Sequence, residues 1–283
     1  MLALLLVLSS TLSEEISQSI GKSSVRRRRE TIYHLGFLEL FWGTVVMIAL
    51  AFWAPHNHFD VRSLPTLSVR IVLEVLMAYL NVEAIIKAER STVGFLRLVS
   101  IPLLLIVDIT LGYHITPIQI GGVLVMFFAL MFAFHHNPAG RRGAWLAALS
   151  GFVAVATVSL YKFDITHYNS VPVEQAIVMS VVLSVFYIGG YRRATHGLQA
   201  LKLLFRPVSG TQAFTSGLSA VLGSYAIQFA PASVVIALKR TFALLWAVLF
   251  GHTYFREHSL RRKLGSFAFT AVGIVLLVNP QWH

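Results

Sequence analysis

Apolar runs long enough to cross a lipid bilayer follow one another along the whole chain, and this constrains the fold more than any other feature of the sequence. They fall at about 2–20, 32–54, 66–88, 91–112, 116–135, 144–161, 171–189, 209–229, 231–254 and 261–278. At 1.5 Å of helical rise per residue, roughly 20 residues cross a hydrocarbon core of about 30 Å. That core offers the backbone no water, so each run must satisfy its own amides, which selects helices. The expectation is an all-α integral membrane protein of about ten transmembrane helices. Charged residues make up 12% of the chain, where soluble domains carry about a quarter, so little remains for a soluble domain.

Runs one and three are interrupted by charge. Glu14 and Glu15 fall in the first, and Arg70, Glu74, Glu83 and Lys87 in the third. Glu83 and Lys87 stand four residues apart and read as a pair within one helix. The opening segment MLALLLVLSS lacks the preceding basic residues and the small-residue cleavage site of a signal peptide, so it is read as a span. Cysteine is absent, which excludes disulfides, thiolate metal ligands and thiol nucleophiles.

A net charge of +11 suggests nucleic acid at first, but the basic residues form short clusters between apolar runs and read as topology signals. Lys22, Arg26–Arg29, Lys87, Arg90, Arg141, Arg142, Arg192, Arg193, Lys202, Arg206, Arg256, Arg261, Arg262 and Lys263 fall on one side. Only Arg62, Arg70 and Lys162 fall on the other. The positive-inside rule places the first group in the cytoplasm and both termini outside it, in a multi-pass protein of the cell (inner) membrane. The Arg26–Arg29 run reads as an anchor against anionic headgroups, with no nucleic-acid partner expected.

Two stretches half a chain apart are collinear. Ala84, Ala88, Ser91, Leu96 and Arg97 match Ala226, Ala230, Ser233, Leu238 and Lys239, and Gly121 meets Gly265 after a two-residue shift. Such self-similarity suggests duplication, with one five-helix repeat at 1–138 and a second at 139–283. Five is odd, so the second repeat must insert inverted relative to the first, as in many secondary transporters. The charge count independently places the joint AERS (88–91) inside and its partner APAS (230–233) outside.

The ending YAIQFAPAS of run eight, the sequence VVIALKRTFALLWAVLFGHTYFRE of run nine and the opening LRRKLGSFAFTAVGIVLLV of run ten resemble the EamA-like members of the drug/metabolite transporter superfamily. The match is best over 209–279. Ala84–Phe134 fits more weakly, and the remaining runs match in length and order alone. The resemblance implies ten helices in two five-helix halves. It also implies transport of small metabolites by alternating access, with a cavity lined partly by helices 3, 4, 8 and 9 and a glutamate, here Glu257, after helix 9.

Charge deep in a bilayer costs a few kcal/mol or more and usually serves a cavity, a partner or an interface. Lys239 and Arg240 lie about eight residues into run nine, roughly 12 Å from its end and near the midplane. Lys239 is the expected cavity residue. Arg97 occupies the related place in the first half, and together these cations suit a small-molecule substrate bearing a carboxylate or phosphate. The alternative is that they pair with buried acids and hold the bundle together. Tyr79, Asn81, Tyr225 and Gln228 are candidates to orient a substrate by hydrogen bonds. Glu14 and Glu15, in the polar stretch STLSEEISQS, are the candidates for proton coupling.

Asp108 and Glu257 read as helix-end partners, and Ser216, Ser219 and Gly223 as sites of close helix approach. The adjacent His135 and His136 do not share a helix face, so no metal is expected, and no cofactor is called for. The chain has no G-x-S-x-G elbow, HExxH helix or glycine-rich phosphate loop, so the expectation is a transporter and not an enzyme. A channel and a non-transporting scaffold are the rival classes.

Overall fold

A computed structural model describes residues 2–26, 32–87, 100–113, 115–134, 141–193, 199–255, 272, 273 and 276. Among these the chain is helical throughout, with no strand. The helices are α1 (Leu2–Arg26), α2 (Ile32–Trp53), α3 (Leu64–Lys87), α4 (Ser100–Thr110), α5 (Pro117–Phe134), α6 (Arg141–His167), α7 (Val171–Arg193), α8 (Pro207–Gln228) and α9 (Ala232–Phe255). A 3-10 turn, Val61–Ser63, precedes α3, and a six-residue helix, Gln199–Leu204, precedes α8.

Each of these helices lies where an apolar run predicted one. Three run past their expected ends: α1 continues to Arg26, α7 to Arg193 and α6 to His167, so Lys162 and Asp164 are helical and not loop residues. Run ten is described at Val272, Gly273 and Leu276 alone. A Cβ on Gly273 would meet Met126 Cγ, which places that residue directly against α5.

Among the described residues, four helices are long and apolar enough to cross a membrane: Tyr33–Trp53, Val61–Asn81, Leu149–His167 and Val171–Tyr191. Large apolar side chains lie on the outside of the bundle, while charged ones are buried among its apolar core. Phe52, Trp53, Phe132 and Phe205 are 82%, 84%, 70% and 88% exposed, whereas Arg70, Asp108, Asp164 and Glu174 are buried. In water such a surface would drive association; in lipid it is the solvent-facing side. The protein is therefore an integral membrane protein. α1 and α8 are less apolar because their Ser, Thr, Gly and Gln positions face neighbouring helices: Ser10, Thr11, Ser13, Ser17, Gln212, Ser219 and Ser224 are all buried.

Lipid tails are as apolar as leucine, so close packing and interhelical hydrogen bonds hold such helices together. α2 and α7 run antiparallel with rings seated on glycines: Phe186 lies over Gly36 and Tyr33 over Gly189. α2 crosses α8 at Gly43 and Gly217, where a Cβ on Gly217 would stand 2.6 Å from the Gly43 nitrogen. α1 and α8 are also antiparallel. Ser10 donates to the Ser219 carbonyl at 2.9 Å and Ser17 to the Gln212 carbonyl at 3.1 Å. α1 also touches α9, where Trp246 Nε1 donates to Thr11 Oγ1 at 3.1 Å. On the other side α6 packs against α3 and α4, and α9 against α4 and α5.

The connections that follow α2, α4, α6 and α8 gather at one end of the bundle. Asp60 N–H donates to Asn169 Oδ1 at 3.0 Å, joining the first of these to the third. Lys162 reaches both the Tyr113 ring, 5.6 Å away, and the carbonyls that end α8. This is the end to which the sequence assigns few basic residues.

Candidate functional site

Helix order brings together two of the charges that the sequence singles out separately. α1 and α9 are neighbours, and the Glu14 carboxylate acts electrostatically on the Lys239 ammonium across their contact. Glu14 also accepts a hydrogen bond from Gln18 Nε2 at 2.9 Å, one turn along. The ammonium lies above α8, where a Cβ on Gly223 would meet Lys239 Nζ at 2.5 Å and Ser10 Oγ at 3.0 Å. Gly223 thus makes room for a cation and not merely for a neighbouring helix. Arg240 follows on the same helix and repels Lys239.

Accessibility along α9 is uneven in an informative way. Val234, Val235, Ala237, Leu238, Thr241 and Phe242 are buried, while Lys239 and Arg240 between them keep part of their surface. A cation facing lipid costs a few kcal/mol or more, which favours turning the charged ends toward the bundle interior. An ammonium with one acid beside it can take a second anionic group at the cost of loosening the first contact.

The other expected site residues lie elsewhere. Tyr225 is partly buried and packs on the Met47, Ala176 and Met179 cluster between α2 and α7. Gln228 is exposed at the end of α8, where its backbone carbonyl accepts from Lys162 at 3.4 Å. Tyr79 lines a groove of about 300 Å³ with Tyr33, Val72, Val75, Leu76, Val185 and Phe186, an apolar groove on the α2, α3 and α7 side. Asn81 and Glu15 are partly buried and already engaged in contacts of their own. Arg97, His135, His136 and Glu257 lie outside the described residues, as does the Lys87 side chain.

A second polar assembly, which the sequence does not mark as a site, closes the end with few basic residues. The Arg70 guanidinium of α3 pairs with Glu174 of α7 at 2.5 Å, and the two side chains are 3% and 0% exposed. Its plane covers the Tyr161 ring of α6 at 4.3 Å. Tyr161 in turn donates to the Ser224 carbonyl of α8 at 3.0 Å. Asn169 donates to Glu174 Oε2 at 2.6 Å and to Ser63 Oγ at 2.9 Å, tying the α6–α7 turn into the group. Asp164 accepts from Thr66 Oγ1 at 2.6 Å.

Beside it, Lys162 donates to the Ile227 carbonyl at 2.8 Å, and Asp108 Oδ2 accepts from the Ser233 N–H at 2.7 Å. Asp108 thereby satisfies one of the orphan amides at the start of α9, a structural contact between two helices. A signal for the missed assembly was present: Glu174 interrupts an apolar run three residues after it starts, and Asp164 is masked only if run six is ended at Tyr161.

No protein-family model and no curated protein matches this sequence. Solved structures do: 27 chains match, so the arrangement is not peculiar to this protein. One, described only as "Crystal structure of protein", has a TM-score of 0.67 over 98% of this chain and 98% of its own at 11% identity. At that identity the likeness establishes the fold.

Proposed function

We propose that the protein is a secondary transporter that moves a small organic metabolite by alternating access between two inverted five-helix repeats. The observation that carries this reading is the packing scheme. Exchanging the first five helices for the second five turns α1 against α8 and α9 into α6 against α3 and α4. It turns α2 against α8 into α7 against α3, and returns α2 against α7 and α4 against α9 to themselves. Pairwise packing that survives this exchange is what an inverted repeat produces, and such repeats rock about a site near the bilayer midplane. Lys239 stands near that depth. The resemblance of the last third of the chain to EamA-like drug/metabolite transporters supports the same reading.

In this scheme the bundle spans the cell membrane ten times, the basic end faces the cytoplasm and both termini face away from it. Lys239, with Arg240 and Arg97, receives the acidic group of the substrate. Melting of the purified protein against amino acids, organic anions, nucleosides and lipophilic cations tests this. A ligand at 100 times its Kd adds about 2.7 kcal/mol of stability. Stabilisation by an organic anion that is lost in Lys239→Ala supports the anion site, and saturable counterflow in liposomes then separates a carrier from a channel or scaffold. Stabilisation by cations alone, or equal shifts in both proteins, overturns the role of Lys239.

A further inference from the structure

Where α3, α6 and α7 close the end with few basic residues, three carboxyl groups lie within electrostatic reach of one guanidinium. Glu174 is fully buried and holds Arg70 directly. Asp164 is also fully buried and in electrostatic contact with both Glu174 and Arg70. Glu74 lies one turn along α3 from Arg70 and interacts with the same charge. The remaining polar groups do not restore the balance. Tyr161 is neutral and spends its hydroxyl on Ser224, while Lys162 turns toward the α8 carbonyls and Asp108. Asp60 accepts from the Arg62 amide, the exposed His167 ring bonds back to Phe163, and Tyr225 of α8 packs on the α2–α7 side.

One oxygen makes the imbalance specific. Asp164 Oδ1 accepts from Thr66, but Asp164 Oδ2 is buried with no hydrogen-bond partner, and Arg70 Nε is likewise unpartnered. A carboxylate oxygen that is desolvated, unpartnered and beside a second carboxylate is the least tolerable state of this chemistry. Protonation resolves it, since a proton on Oδ2 removes the surplus charge and supplies a hydroxyl to direct at Glu174.

We propose that the Asp164–Glu174 pair, with Arg70 beside it, is a proton-binding site that takes up one proton from water as this end closes. The proton resides on Asp164 Oδ2. When α3, α6 and α7 separate, water and Arg70 solvate both carboxylates and the proton returns to the bulk. Glu14 is less suited to this task, because Lys239 balances its charge. The existence of the site does not depend on the transporter reading; its use in coupling does.

Infrared difference spectroscopy on the purified full chain reads the site without any substrate. At about pH 7, where exposed carboxyls are ionised, the wild type should show the C=O stretch of a protonated carboxyl, displaced in D₂O. Asp164→Asn, which mimics the protonated form, should fold, keep its melting temperature and lose the band. Glu174→Gln should shift the band, and Glu14→Gln should leave it in place. A wild-type spectrum without a protonated carboxyl at that pH overturns the proposal, and needs no variant to do so. A band unchanged in both Asp164→Asn and Glu174→Gln overturns it too. Neither result bears on the ligand-melting experiment, so failure of this site and failure of the transporter reading are told apart.

Discussion

Replacing Gly217 by alanine tests the tightest crossing in the bundle. The added Cβ would lie 2.6 Å from the Gly43 nitrogen, 2.7 Å from Trp42 Cβ and 2.9 Å from the Trp42 carbonyl carbon. Two of these atoms are backbone, so no side chain can swing aside. Restoring an ordinary contact of about 3.4 Å means backing α8 away from α2 by roughly 0.8 Å along their shared face. Overpacking of this kind costs about 1–3 kcal/mol, and a contact with backbone belongs in the upper half of that range. The gain in helix propensity from Gly to Ala returns about 1 kcal/mol, leaving a net loss of about 1–2 kcal/mol. For a chain of this size that lowers Tm by roughly 2–6 °C. The assay is intrinsic tryptophan fluorescence during thermal unfolding in detergent. Gly121→Ala is the control, since a Cβ there meets nothing within 4 Å, and it should melt at or slightly above the wild type. If Gly217→Ala matches Gly121→Ala, α2 and α8 do not meet as described.

Two further predictions concern charge. Glu14→Gln and Lys239→Met, combined in a double-mutant cycle of melting free energies, should give a coupling of about 0.5–3 kcal/mol; additive effects would mean that the two charges do not sense each other. Asp108→Ala should cost about 1–3 kcal/mol, because it strands the buried Ser233 N–H and removes an acid facing Lys162, and a variant as stable as the wild type would refute the cap.

Helix positions were legible because a lipid solvent writes them into the sequence as long apolar runs. Ends were less so: α6 passes Tyr161 for another six residues, since Lys162 and Asp164 find their partners inside the protein and do not need water. Lys239 and Glu14 each announced themselves as deep charges, yet their proximity depends on α1 lying beside α9, which no local pattern encodes. The cluster at the end with few basic residues is hidden for a related reason. Arg70 and Glu74 interrupt run three, but the partner that makes Arg70 acceptable there, Glu174, lies 104 residues away. Tyr225, Gln228 and Tyr79 are candidates on hydrogen-bonding chemistry alone. The structure sets them in a helix-packing seam, at a helix end and along an outer groove, because helical phase decides what a polar side chain faces.

Tyr161 has a mechanical consequence. Its ring lies under Arg70 while its hydroxyl holds the Ser224 carbonyl, so one side chain is fastened to α3 and to α8 at once. Loosening either helix alone leaves the phenol half-anchored and a polar group without its companion. In the proposed transport cycle this end would therefore pass from wholly shut to wholly released, with few states in between. In a protein that separates two aqueous compartments, those in-between states are the ones that leak, and a single tyrosine joining two helices guards against them.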